Sequence, residues 1–215
     1  MNTYNLRQLH LNNDDENEDD DEDQAITDNK NTASLWLKKQ EALFFKNRTI
    51  YLWGPVEDRS AKEIVNKLLL LDADKPGKEI KLFINSPGGV VSSGMVIYDV
   101  MKLIKSPVTT ICMGLAASMG SILLSAGQKG KRAVFPNGEV MIHQPSLGGY
   151  FQGVSADLEI QAKQIQKTKE LGAKILSENC NQPYEKVLGD LERDYWMDAK
   201  EAMEYGIVDK IIDKL

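Results

Sequence analysis

The chain is poor in the residues that disulfide and metal chemistry need. Two cysteines, Cys112 and Cys180, and two histidines, His10 and His143, serve all 215 residues. So few cysteines exclude a disulfide-stapled scaffold and fit a reducing compartment. With the cysteines isolated in sequence and His10 in a polar N-terminal stretch, no zinc site is expected and metal ligation is assigned to none. Long apolar runs are missing too: nothing approaches the roughly 18 consecutive apolar residues of a membrane span, so a soluble protein is expected. The first ten residues carry neither an apolar signal-peptide core nor a basic amphipathic pattern, which points to the cytoplasm. Lysine and arginine are scattered without a basic stripe, which argues against nucleic acid as a partner.

What remains is an ordinary composition, 42% hydrophobic and 27% charged, sufficient for one substantial core. The net charge of −6 is local. Nine acids fill the ten residues from Asp14 to Asp23, and taking those nine away leaves +3 on the remainder. Residues 1–32 are therefore expected to form a disordered acidic tail, and residues 33–215 the folded domain.

The folded part reads as alternating strands and helices. Leu35-Trp36-Leu37 with Leu43-Phe44-Phe45 predicts a short amphipathic helix that docks onto an apolar surface. Thr49 to Trp53 predicts a strand ended by Gly54-Pro55, and Ser60 to Glu63 a capping box opening a helix through Leu71. Glu79 to Asn85 predicts the next strand, Ser86-Pro87-Gly88-Gly89 a turn, and Ser92 or Ser93 the cap of a helix to Ile104 with Val96, Val100 and Ile104 on one face. Val108 to Met113 predicts a third strand, feeding a buried helix whose first turns hold Ser118 and which ends near Gly127. After a Pro136-Asn137-Gly138 turn, Val140-Met141-Ile142 predicts a short strand that delivers His143. Ser155 begins a helix of residues 155–180, long enough to project, with Leu158, Ala162, Ile165 and Ile175 left facing water unless a partner covers them. Asp198 with Glu201 opens a last helix that Gly206 closes. The pattern implies an α/β fold around a mostly parallel sheet, with ligand sites at the carboxyl ends of its strands.

One constellation carries chemistry. Ser118 lies in the small-residue run Gly114-Leu115-Ala116-Ala117-Ser118-Met119-Gly120-Ser121, and His143 follows it by 25 residues. A serine hydroxyl needs an imidazole within reach to become a nucleophile, and His143 is the one histidine outside the N-terminal segment. Asp194 is the candidate to orient it, although Asp190 and Asp198 flank it and spacing does not choose among the three. The order Ser, His, Asp differs from those of the α/β-hydrolase, chymotrypsin and subtilisin scaffolds. Ala116 also stands where the nucleophile-elbow motif has glycine. Two backbone amides are candidate oxyanion donors, that of Gly89 in the glycine turn and that of Met119 just after the serine.

Four segments are distinctive together: Phe83-Ile84-Asn85-Ser86-Pro87-Gly88-Gly89, Ile111-Cys112-Met113-Gly114 with Ala116-Ala117-Ser118-Met119-Gly120, Met141-Ile142-His143-Gln144-Pro145, and Glu192-Arg193-Asp194. Through them the chain, from about Leu43 onward, resembles the ClpP family, the proteolytic subunit of the ATP-dependent Clp protease. The resemblance implies a crotonase-like spiral of β-β-α units with a protruding handle helix, here residues 155–180. It also implies Ser118 as nucleophile, His143 as general base and acid, Asp194 as orienting acid, and Gly89 and Met119 as the oxyanion hole. The implied activity is that of a self-compartmentalising serine endopeptidase without cofactor, self-associating into stacked heptameric rings. Unfolded protein substrates would come from an AAA+ unfoldase ATPase of the ClpX, ClpA or ClpC kind, the only user of ATP. The chain departs from the family where the acidic run replaces its N-terminal segment, at Lys81 where an aromatic docking residue is common, and in a longer loop through Ser146 to Phe151. Two other readings are a non-proteolytic ClpP-like paralogue in a mixed assembly, motivated by the altered N-terminus, and a crotonase-class acyl-CoA enzyme.

Overall fold

Runs rich in β-branched residues set the sheet. In the computed structural model, which describes residues 35–146 and 153–214, the strands are β1 (Thr49–Trp53), β2 (Ile80–Ser86), β3 (Val108–Ala117), β4 (Arg132–Val134), β5 (Glu139–Ile142), β6 (Tyr195–Met197) and β7 (Lys210–Ile211). They run in the order β1-β2-β3-β4-β7, with β5 pairing β3 and β6 pairing β5. Every pairing is parallel except β5 with β6. Parallel neighbours need crossovers, and α2 (Asp58–Asp74) and α3 (Val91–Leu103) supply the first two. Ala61, Ile64, Leu68 and Leu71 form the buried stripe of α2 at helical spacing. Leu52, Leu82, Ile84, Ile97, Leu123 and Ile142 lie at the centre of the core, fully buried.

The branching of β3 positions everything that follows. Its first half pairs β4 through Thr110, Ile111 and Cys112, and its second half pairs β5 through Leu115, Ala116 and Ala117. Between them the register with β2 slips, from Ile84 opposite Cys112 to Ser86 opposite Ala116. The extra residues form a bulge, which bends a strand and re-aims what comes after it. Gly114 supplies the turn with φ of 119°, and the Asn85 side-chain oxygen accepts the freed Leu115 N–H at 3.1 Å.

The remaining helices are α4 (Met119–Ser125), α5 (Ser155–Cys180), α6 (Tyr184–Asp190) and α7 (Ala199–Tyr205). Only the last turns of α5 are buried, through Ala173, Ile175, Leu176 and Cys180, so its first turns stand clear of the core. Arg132 ties three elements together: its guanidinium and backbone N–H bond both oxygens of Asp209 just before β7, and Nη1 donates to the Asn179 carbonyl of α5 at 2.8 Å. The chain divides into two compact units, Met1–Phe44 and Phe45–Leu215. Of the first, residues 35–44 are described, and residues 35–46 are helical (α1). The acidic run falls outside the described residues. None of the described helices is long and apolar enough to cross a membrane.

Several expectations are corrected. Helix α2 starts at Asp58, because Glu57 rather than Ser60 is its cap; the Ser60 hydroxyl accepts the Glu57 N–H at 3.0 Å from the third helical position. Helix α3 begins at Val91 without a serine cap, since Ser93 is buried and donates instead to Asp58. Its buried stripe is Ser93, Gly94, Ile97 and Met101, which turns Val96 outward. The Gly114–Ala117 stretch is strand rather than helix, because its backbone pairs with β5. Ile175 is buried against the body, whereas Leu158 is exposed as expected.

Candidate active site

Ser118 occupies the corner where β3 becomes α4. Its φ of 54° and ψ of −122° are unusual for a residue with a side chain, a conformation that costs about 1–3 kcal/mol and persists only where its surroundings hold it. Those surroundings are visible. The Ser118 N–H donates to the Met141 carbonyl at 2.8 Å, and the Ser118 carbonyl accepts the Ser121 N–H and hydroxyl. Ser118 thus sits on a strained strand-to-helix turn of the elbow kind even though Ala116 replaces the motif's glycine. Glycines elsewhere provide the room. A Cβ on Gly88 would stand 2.6 Å from the Ser118 Cβ and 2.9 Å from the Met119 nitrogen, and one on Gly94 would collide with the Met119 side chain. Gly88 and Gly94 are thus site residues that the sequence pattern did not single out for close packing.

Strand β5 delivers His143, and β6 delivers its partner. Because β5 and β6 are antiparallel with Ile142 opposite Tyr195, the next residue on one side, His143, meets the preceding residue on the other, Asp194. His143 Nδ1 lies 3.1 Å from Asp194 Oδ1, and Nε2 lies 2.9 Å from Ser118 Oγ. A carboxylate accepts only, so Asp194 selects the tautomer with the proton on Nδ1 and leaves the Nε2 lone pair toward the serine O–H. The choice among three acids is resolved by their partners. Asp190 accepts from Lys186 and from the Tyr205 hydroxyl at 2.7 and 2.8 Å, while Asp198 caps α7 through the Lys200 and Glu201 N–H groups. Only Asp194 faces the imidazole.

A second layer holds this pairing. Gln144, next to His143, donates its N–H to the Leu191 carbonyl at 2.7 Å and its side-chain NH₂ to the Glu192 carbonyl at 2.8 Å. The Glu192 carboxylate takes the Lys169 ammonium of α5, and that bond holds its carboxyl below the usual carboxylate range. Nothing in the sequence pattern identified Gln144 or Lys169, since their partners lie far along the chain.

The Gly89 and Met119 amides make no hydrogen bond among the described residues; the bridge from Val56 uses the Gly88 carbonyl and the Val90 N–H on either side of Gly89. Gly89 has φ of 148° and no room for a Cβ, which would approach the Val56 carbonyl to 2.2 Å. Beside Ser118 and His143 opens a cavity with walls of Val91, Met95, Ile122, Pro145, Leu176 and Leu191. Both cysteines are buried, and burial pushes their thiols up to about 12, so neither forms a thiolate near neutrality. Among the described residues no three His, Cys, Asp or Glu side chains converge as a metal set. Taken together, the site joins an alcohol, an oriented base, two free amides and an apolar recess, which suits acyl transfer from an apolar substrate. Residues 32–215 match the family model described as Clp protease.

Proposed function

Because the chain belongs to the Clp protease family, we propose that it is a self-compartmentalising serine endopeptidase that hydrolyses unfolded polypeptides. The observation that carries this reading is the unbroken line of hydrogen bonds from Ser118 Oγ through His143 to Asp194. Ser118 Oγ attacks the scissile carbonyl carbon while its proton passes to His143 Nε2, and Asp194 stabilises the imidazolium so formed. The N–H groups of Gly89 and Met119 receive the negative oxygen of the tetrahedral intermediate, where each such donor is worth about 10²- to 10³-fold in rate. His143 then returns the proton to the leaving amine, giving an acyl-enzyme on Ser118 and a free amino terminus. Water attacks the ester with His143 again as base, which releases the acid and restores the serine. No cofactor takes part, and ATP acts only through the partner.

The partner in this reading is an AAA+ unfoldase ring that delivers substrate to stacked heptameric rings of this chain in the cytoplasm. Self-association is supported by apolar side chains left open to solvent in one copy: Leu69 and Leu70 on α2, Leu103 on α3, and Leu158, Ile160 and Leu171 on α5. Such surfaces are uncommon on monomers. Replacing Ser118 by alanine is expected to cut peptide cleavage by roughly 10⁴- to 10⁶-fold without unfolding the protein. A serine-directed fluorophosphonate, mapped by mass spectrometry, should modify Ser118 alone; cleavage that survives in the alanine variant, or an adduct elsewhere, would reject the assignment.

A further inference from the structure

Gly172 lies in the interior of α5, where glycine is among the least favourable residues because it fixes a backbone that is otherwise unusually free. Neither of the usual reasons for a glycine applies there. Its φ is not positive, and among the described residues a Cβ built on it would meet only the Ile122 Cδ1, at an ordinary van der Waals distance of 3.8 Å. The contrast with Gly94 and Gly120 is clear, because a Cβ on either would press on Met119 or on the Ser86 carbonyl. Gly189 is equally open, but it stands in the last turn of α6 and borders no part of the cavity beside Ser118.

Gly172 does border that cavity. Thr168, Gly172 and Leu176 recur at spacing four on the face of α5 that forms one wall, and Ile122, the neighbour its Cβ would approach, forms another part of it. The recess is open to solvent at its mouth, and the space in it that the centre of a water molecule can reach is about 40 Å³. Any side chain at 172 would project toward Ile122 and take up that space.

We propose that Gly172 is a specificity-determining residue: its missing side chain deepens the recess beside Ser118, so that the cleaved peptide presents a large apolar side chain, aromatic or long and unbranched, on the acyl side of the scissile bond. This rests on the endopeptidase reading above. The helix tolerates an unfavourable residue at 172 because the recess needs the room.

The test uses the full-length assembled protein and peptides that differ only in that one side chain, Ala, Leu, Met or Phe, with Gly172→Ala and Gly172→Leu as variants. Selectivity is read as the ratio of kcat/KM for Phe to that for Ala. One methylene in an apolar pocket changes discrimination by about 10- to 200-fold, so Gly172→Leu should lower the ratio at least tenfold and Gly172→Ala less. The alanine variant should also melt at a higher temperature than the parent, because alanine is the better helix former and its methyl group fits without displacing a neighbour. If Ser118-dependent cleavage keeps the same ratio in both variants, or if Gly172→Ala lowers the melting temperature, the inference about Gly172 fails alone. Cleavage indifferent to Ser118→Ala removes the endopeptidase reading and this inference with it.

Discussion

Replacing Asp194 by asparagine separates the proposed relay from the two acids beside it in sequence. The side chain of Asp194 is 60% exposed and that of His143 only 26%. Attraction between an imidazolium and a carboxylate about 4 Å apart is about 1 kcal/mol at the dielectric of water and about 4 kcal/mol at an effective value of 20. With one partner mostly in solvent, the lower half of that span applies, and Asp194→Ala should reduce kcat by about 5- to 70-fold. Asparagine adds a second defect, since its NH₂ can donate to Nδ1 and so favour the tautomer with the proton on Nε2, which no longer accepts from Ser118. Asp194→Asn is therefore expected to lose more, about 10²- to 10³-fold, yet less than the roughly 10⁴ typical of a buried carboxylate in that role. The assay is steady-state peptide cleavage, with Asp190→Asn and Asp198→Asn as controls that keep their parental kcat. Asp190 is engaged with Tyr205, and asparagine at 198 still caps a helix. Equal losses at 190 and 194, or undiminished activity in Asp194→Asn, would refute the assignment of the orienting acid.

Two further outcomes follow from the packing. Gly88→Ala should abolish cleavage and cost about 1–3 kcal/mol in denaturant melts, since a φ of 91° and a Cβ within 3 Å of both Ser118 and the Met119 nitrogen cannot coexist with the serine corner; an active, equally stable variant would overturn that account. The acid limb of stability should involve Asp209, where burial works against ionisation but the Arg132 bonds outweigh it and hold the carboxyl below its ordinary range. Its contribution is complete above the unfolded value near pH 4 and drains away as the pH falls through the lower folded value. Arg132→Ala, leaving that carboxylate without its cation, should cost about 3–5 kcal/mol at neutral pH and flatten this limb. Urea melts between pH 2 and 7 would show it, and an unaltered acid profile in the variant would count against the pair.

Local patterning made part of this molecule legible. β1, the α7 cap at Asp198, the αL stop at Gly206 and the full length of α5 all follow from propensity and capping within a few residues. The errors have a common physical origin in long-range pairing. Leu115, Ala116 and Ala117 are good helix formers, but β5 and the slipped register with β2 hold this stretch extended. Strands β4, β6 and β7 are too short to show a period, so only their partners make them strands. The site was legible where chemistry is scarce: the one histidine beyond the N-terminal segment implicates itself, whereas one aspartate among three is identified only by the antiparallel pairing of Ile142 with Tyr195. What Gln144, Lys169 and Gly88 touch lies far away in sequence, so their contacts with the site leave no local trace.

The backbone at Ser118 links these levels. A residue with a side chain, held at positive φ, is a cost that folding alone would remove by placing glycine or straightening the turn. Straightening is blocked on three sides: the Met141 carbonyl holds the Ser118 N–H, the start of α4 holds its carbonyl, and Gly88 lies against its Cβ. Glycine would relieve the strain but would delete the hydroxyl that reaches His143 Nε2. The glycines at 88, 94 and 120 make room at this corner, Gly89 makes room for the Val56 backbone, and Gly172 opens the recess beside the serine. Stability alone gives no reason for so many unfavourable choices to converge on one serine. A hydroxyl that must stand free of its own chain, facing a base and beside two amides without a hydrogen bond among the described residues, does give one, and that requirement explains why the strained residue here is serine rather than glycine.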